Sequence, residues 1–210
     1  VLGSRGLGDV YKRQMRVIGI TGGVGAGKST VLAYLEKELG AYVIQADQVG
    51  HQVMEPGACC YEPVLALFGK DIKKEDKTID RRRVSDVVFK NEEMREKLNA
   101  LIHPAVKSYI LDRLEEEKAR GRELFVVEAA LFFEDHYENF CDTVWYIHTE
   151  EKIRIERLME SRGYTEAKAK EIIKSQASEA FFRAHADYVI ENNGDLWATC
   201  RQIREGIAEK

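Results

Sequence analysis

Gly22-Gly23-Val24-Gly25-Ala26-Gly27-Lys28-Ser29-Thr30 decides the fold. From Gly22 to Ser29 it spells G-x-x-x-x-G-K-[ST], a complete phosphate loop. A loop that points several N–H groups at one spot needs backbone angles that glycine adopts and other residues avoid. The lysine closing such a loop reaches the β- and γ-oxygens of a nucleoside triphosphate, and the hydroxyl after it reaches Mg²⁺. The β-rich run Val17-Ile18-Gly19-Ile20 leads into the loop. Beyond it, Val31, Leu32, Leu35 and Leu39 keep helical spacing up to Gly40, a natural stop. Strand, loop and helix in this order place the positive end of a helix dipole beneath the anion. The expected nucleotide contacts are Gly23, Val24, Gly25, Ala26, Gly27, Lys28, Ser29 and Thr30, with a nucleoside triphosphate and Mg²⁺ as the expected ligands.

Working outward, Ala41-Tyr42-Val43-Ile44 reads as a second strand ending at Gln45-Ala46-Asp47. In open α/β sheets ligands bind at the carboxyl ends of the strands. Asp47 is therefore placed to meet both a metal and an incoming hydroxyl; capping the helix that carries Val49, Val53 and Met54 is its alternative role. Leu124-Phe125-Val126-Val127-Glu128 is apolar up to its last residue, as a central parallel strand should be. Its terminal acid, Glu128, resembles a carboxylate that orients a metal or its water. Thr143-Val144-Trp145-Tyr146-Ile147 and Tyr188-Val189-Ile190 bring the strands to about five.

Residues 48–121 read as mostly helical. The chain is expected to be irregular to about Asp80, with a solvated hairpin or loop over 70–77. Asp80 and Asn91 then open helices, Pro104 marks a break or kink at His103, and a long charged helix ends at Gly121. After the fourth strand, residues 150–162 carry Arg154, Arg157 and Arg162, followed by a helix capped by Thr165. Arginines in such an arm suit a lid that closes over phosphates; a surface helix salt-bridged to Glu151, Glu156 and Glu160 suits them equally. Asn192-Asn193-Gly194 turns into a last helix over 195–207. The alternation predicts an α/β fold, a doubly wound parallel sheet with a helical insertion at about 48–121 and a lid at about 150–185.

With 210 residues, 44% of them apolar and 32% charged, the chain suits a single soluble domain. A net charge of −4 argues against a nucleic-acid scaffold. The longest apolar stretch, around 124–133, is interrupted by Glu128 and too short to span a membrane. Four cysteines without C-x-x-C spacing point to reduced thiols and a cytoplasmic setting. Residues 1–14 hold three glycines and no periodicity, and Met15 stands directly before the first strand. They read as a non-native leader, leaving 15–210 as the domain.

Several stretches together resemble the dephospho-coenzyme A kinase family. They are the phosphate loop, Val43-Ile44-Gln45-Ala46-Asp47 with His51 and Glu55-Pro56-Gly57, Asp80-Arg81, His103-Pro104, Leu131-Phe132-Phe133-Glu134, and 186–194. The resemblance spans nearly all of 15–210. It implies transfer of the ATP γ-phosphoryl group to the ribose 3′-hydroxyl of dephospho-coenzyme A, the last step of coenzyme A synthesis, by a monomer or small homo-oligomer. It implies Asp47 as the catalytic acid-base group alongside Lys28 and the lid arginines Arg157 and Arg162. Asp47, His51, Arg81 and His103 would border the acceptor, Asn193 the adenine of ATP, and Ser29 and Glu128 the metal. The chain departs from the family at Gln45, where an aspartate is common, and at Ser161-Arg162-Gly163, where the lid often reads Arg-Asp. A kinase for another small molecule remains a competing reading. So does a switch-type GTPase, supported by the D-x-x-G match Asp47-Gln48-Val49-Gly50 but lacking any Asn-Lys-x-Asp guanine reader, and a catalytically silent nucleotide-binding module.

Overall fold

Five short apolar runs and nine helices alternate along residues 15–209, the part that this computed structural model describes. The reading of residues 1–14 falls outside the described residues. In order the elements are β1 (Arg16–Thr21), α1 (Lys28–Leu39), β2 (Tyr42–Gln45), α2 (Ala46–Gln52), α3 (Tyr61–Phe68), α4 (Arg81–Lys90), α5 (Glu92–Ala119), β3 (Leu124–Glu128), β4 (Thr143–His148), α6 (Glu151–Arg162), α7 (Glu166–Lys174), α8 (Glu179–His185), β5 (Tyr188–Glu191) and α9 (Leu196–Ala208).

The strands form one parallel sheet in the order β2-β3-β1-β4-β5. β3, which comes late in the chain, is inserted between β2 and β1. In register, Glu128 stands opposite Ile20 on one side and Gln45 on the other. The ends of these three strands therefore open onto a single edge, the place where open α/β sheets bind ligands.

Each face of the sheet is buried. Ile18, Ile20, Val126, Trp145 and Ile147 pack with Val31, Leu35 and Ile203 of α1 and α9. The opposite face packs Val17, Phe125, Val127 and Phe132 with Val49, Val64, Val106 and Ile110 from α2, α3 and α5. A third, smaller cluster of Ile155, Leu158 and Ala169 joins α6 to α7 and takes in Val24 from the phosphate loop. No helix among the described residues is long and apolar enough to cross a membrane.

The helix caps fall where local chemistry puts them. Asp80 accepts from the N–H groups of Arg82 and Arg83, Asn91 from Met94, Thr165 from Lys168 and Asp195 from Trp197. Residues 70–77 form the expected hairpin, a 3-10 turn at Lys70–Ile72 followed by an antiparallel bridge between Lys73 and Ile79.

Three local expectations need correction. The stretch before Asp80 is not irregular throughout, since it contains α3; that helix has no side-chain cap and only eight residues, and it forms because Tyr61, Val64 and Leu65 are buried. Pro104 does not break the chain at His103. α5 runs through it from Glu92 to Ala119, because Leu98, Leu101, Val106 and Ile110 on both sides of the proline pack into the same core. That burial outweighs the ~3 kcal/mol an interior proline costs. Finally, α8 had not been anticipated as a separate helix, although Ser178 caps it by accepting from Phe181 N–H.

Candidate active site

The loop between β1 and α1 is shaped by glycine and held from outside by side chains. Gly27 adopts φ +83°, and a Cβ on it would lie 2.3 Å from Asn192 Nδ2. Glycine alone satisfies both the left-handed backbone and the close approach. Asn192 Nδ2 and Thr149 Oγ1 both donate to Ala26 O, at 2.8 and 3.0 Å, and Thr199 Oγ1 donates to Asn192 Oδ1 at 2.9 Å. All three of these polar residues are buried. Arg157 Nη2 donates to Asn192 O at 2.9 Å, tying α6 to the same spot.

Lys28 Nζ donates to Gly22 O at 2.7 Å and stands 3.5 Å from Glu128 Oε1. Glu128 is itself buried and, besides this ion pair, accepts a hydrogen bond, 3.3 Å, from Gln45 Nε2. Partners of this kind offset the desolvation of a buried carboxylate. Gln45, where the family pattern often has an acid, thus supplies a donor to Glu128 rather than a second negative charge.

Asp47 lies in the first turn of α2 and is exposed on the same edge of the sheet. Capping is not its role: Gln45 occupies the cap position of α2, and no side chain caps that helix. Burial first, then the Asp135 and Asp47 carboxylates, push the Tyr137 phenol up to about 12. Tyr137 therefore remains a neutral hydroxyl within the field of Asp47. The D-x-x-G match, 47–50, lies inside α2, with Gly50 buried against Ile102 and Val106. A switch loop would need an exposed, mobile glycine there.

These groups converge on a cleft of about 1070 Å³ lined by the phosphate loop, Asp47, Glu128, Arg157 and Arg162. That volume stands at the top of the range of ligand pockets, about 300–1,000 Å³. Its far wall is apolar, with Leu131, Phe133 and Phe181 in the lining. Phe133 and Phe181 meet edge to face at 5.5 Å.

Of the arginines in α6, Arg157 reaches the Ala26 end of the loop, and Arg162 lies 6.0 Å from the Tyr164 ring centroid. Arg154 makes the firmest contact: Nε donates to Val24 O at 2.8 Å and Nη2 to Gln176 Oε1 at 2.8 Å. Burial holds its guanidinium below the usual arginine range, though still charged. Arg154 and Arg157 thus bond to the loop and its supports rather than to Glu151, Glu156 or Glu160.

Other expected site residues stand apart. Ala26 is buried behind the loop rather than on the cleft wall. His51 is in α2, Arg81 opens α4, and His103 in α5 sits 2.8 Å from Asp135 Oδ1; none of the three lines the cleft. Asn193 Oδ1 accepts from Glu150 N–H at 2.7 Å, while its neighbours Asn192 and Gly194 form part of the lining. Sequence reasoning missed the separate role of Asn192 and missed Gln176 altogether. The first could have been suspected from its place at a strand end; nothing local marks the second.

A family model described as dephospho-CoA kinase matches residues 16–197. The chain belongs to the dephospho-CoA kinase family. It is 40% identical over 186 residues to the dephospho-CoA kinase of Geobacillus kaustophilus, covering 89% of this chain and 92% of that one. Among solved structures, TT1252 from Thermus thermophilus superposes with a TM-score of 0.78 at 28% identity, covering 93% of this chain and 98% of the other. The dephospho-CoA kinase of Campylobacter jejuni gives 0.69 at 27% identity, covering 92% and 96%. Family activity is the ATP-dependent phosphorylation of dephospho-CoA, the final step of coenzyme A synthesis, and ATP is the co-substrate.

Proposed function

We propose that the cleft aligns both substrates of this reaction, with the phosphate loop on ATP and Asp47 on the ribose 3′-hydroxyl of dephospho-CoA. One observation carries the reading. Lys28, Ser29, Asp47 and Glu128, contributed by α1, α2 and β3, line a single cleft. Phosphoryl transfer asks the protein mainly to position two oxygens in line and to spread charge. Lys28 and the loop amides other than Val24 N–H, which is bonded to Gln176, hold the β- and γ-phosphates. Asp47 orients the acceptor hydroxyl and takes its proton as the new O–P bond forms and the bond to the β-phosphate oxygen breaks. The proton moves late, because an alcohol is far less acidic than a carboxylic acid. Arg157 and Arg162 offset charge on the transferring group.

Mg²⁺ suits the oxygens present: the Ser29 hydroxyl and the Glu128 carboxylate both line the cleft beside Lys28. A hard cation that keeps waters and phosphate oxygens as its remaining ligands needs no more from the protein. Bound there, it would supply charge neutralisation for the β- and γ-phosphates. The remoter parts of the acceptor run across the 48–121 insertion, past His51, Arg81 and His103, and the adenine of ATP lies by the Asn193 turn. The 150–185 segment is the lid. All these groups come from one chain, so a monomer suffices and a small homo-oligomer is compatible. The cysteines, none in a disulfide, suit the reducing cytoplasm.

Asp47→Asn tests the reading, because asparagine keeps the shape but cannot take the proton. With Mg-ATP and dephospho-CoA, and product followed by mass, turnover should fall by about 10²–10⁴-fold. ATP affinity and melting temperature should hold. Unchanged turnover in this variant would overturn the assignment.

A further inference from the structure

Gln176 lies in the turn between α7 and α8 and lines the cleft. Its Oε1 accepts two hydrogen bonds, from Val24 N–H at 3.0 Å and from Arg154 Nη2 at 2.8 Å. A backbone amide and a guanidinium can only donate, so the oxygen must face them and the orientation of the carboxamide is decided by chemistry. The NH₂ half is left to donate, and it has no hydrogen-bond partner among the described residues.

The position along the loop matters as much as the orientation. Lys28 Nζ, the charge that follows the β- and γ-oxygens, sits at Gly22 O, 2.7 Å away. A Cβ on Gly23 would lie 2.2 Å from Arg154 Nη2. The opening end of the loop thus gathers Lys28, Arg154 and Gln176, while Arg157 and Asn192 serve the Ala26 end. Val24 also packs its side chain into the Ile155, Leu158 and Ala169 cluster of α6 and α7. The Gln176 turn and the loop are therefore coupled by apolar packing and by hydrogen bonds at the same residue.

We infer that Gln176 is a further catalytic residue, whose Nε2 donates a hydrogen bond to the terminal phosphoryl group of the nucleotide. The Val24 N–H, spent on Gln176, cannot serve the phosphate; the glutamine carries that donor function outward to the γ-group. Arg154 is a positioning residue that holds the carboxamide in this orientation. The inference rests on the donor site proposed above, with ATP in the phosphate loop.

Gln176→Glu separates this role from a structural one. The carboxylate keeps both acceptor bonds to Val24 and Arg154, so the loop contact survives, but it has no donor and sets a negative charge against the phosphoryl group. The full-length enzyme should melt as the wild type does. Calorimetry should show affinity for a non-hydrolysable ATP analogue falling about 10-fold or more while ADP affinity holds, with kcat/KM for dephospho-CoA phosphorylation down on the order of 10²-fold. Gln176→Ala should show the same contrast between analogue and ADP, more weakly, since it adds no repulsion; it carries the test if the glutamate variant does not fold. Wild-type turnover and analogue affinity in Gln176→Glu would overturn the inference, leaving Gln176 a latch. Equal loss of analogue and ADP affinity would overturn it too, by pointing to a distorted loop. Failure of the donor-site reading itself would appear in the unmutated protein, as absent ATP binding or absent phosphorylation.

Discussion

Asn192→Ala removes two hydrogen bonds from a dry part of the site, Nδ2 to Ala26 O at 2.8 Å and Thr199 Oγ1 to Oδ1 at 2.9 Å. At a net worth of about 1 kcal/mol each, their loss costs about 2 kcal/mol. The penalty for stranded partners is limited by the surroundings. Ala26 O keeps Thr149 Oγ1 at 3.0 Å, and Thr199 Oγ1 keeps Asp195 O at 3.4 Å. A domain of this size loses about 2–4 °C in melting temperature per kcal/mol, which gives a fall of about 4–8 °C by calorimetry or circular dichroism. Because the freed carbonyl belongs to the phosphate loop, KM for ATP should rise more than kcat falls. Asn192→Asp should be worse, since a carboxylate oxygen would replace Nδ2 opposite the Ala26 carbonyl and set two acceptors face to face. A melting temperature for Asn192→Ala within about 1 °C of wild type would refute the argument that this chain of bonds holds the loop.

Two further changes probe the scaffold. Gly19→Ala places a Cβ 2.2 Å from Phe132 Cζ, inside the core, and should cost about 1–3 kcal/mol of stability in denaturant titration, with partial relief from a second change, Phe132→Leu. Glu117 is buried in α5. Burial is the largest influence on it and opposes ionisation, but hydrogen bonds from Arg122 and Arg120 outweigh burial and hold its carboxyl below the usual range. A carboxylate favoured in the folded chain stabilises it fully above the ordinary glutamate value of about 4.3, and this contribution disappears as pH falls through the folded value. Glu117→Gln should therefore lower the melting temperature at neutral pH, with the gap to wild type narrowing in melts taken progressively below about pH 4.3.

How much of this was legible beforehand depended on how local the cause is. Asp80, Asn91, Thr165 and Asp195 cap the helices that follow them because a side-chain oxygen meets an amide two or three residues on. No packing is needed to read that. α3 escaped because burial alone makes it, and of the break or kink expected at Pro104 the break is absent, a local steric rule having yielded to core contacts on both sides of it. The arginines of α6 were visible as candidates for a lid, yet their spacing could not say which would grip the loop. Arg154 does so through a carbonyl 130 positions away and through Gln176.

By itself the sequence determined the phosphate loop, the strand and helix on either side of it, and the acids Asp47 and Glu128 at or just beyond strand ends. These follow from backbone freedom, capping chemistry and hydrophobic period, which act between near neighbours. The tertiary structure alone decided that β3 slips between β2 and β1, so that Glu128 comes within 3.5 Å of Lys28, a hundred residues earlier in the chain. It alone closed Asn192 onto Ala26 and Gln176 onto Val24. Such pairs are fixed by how the two faces of one sheet are covered, and no rule of spacing along the chain records that.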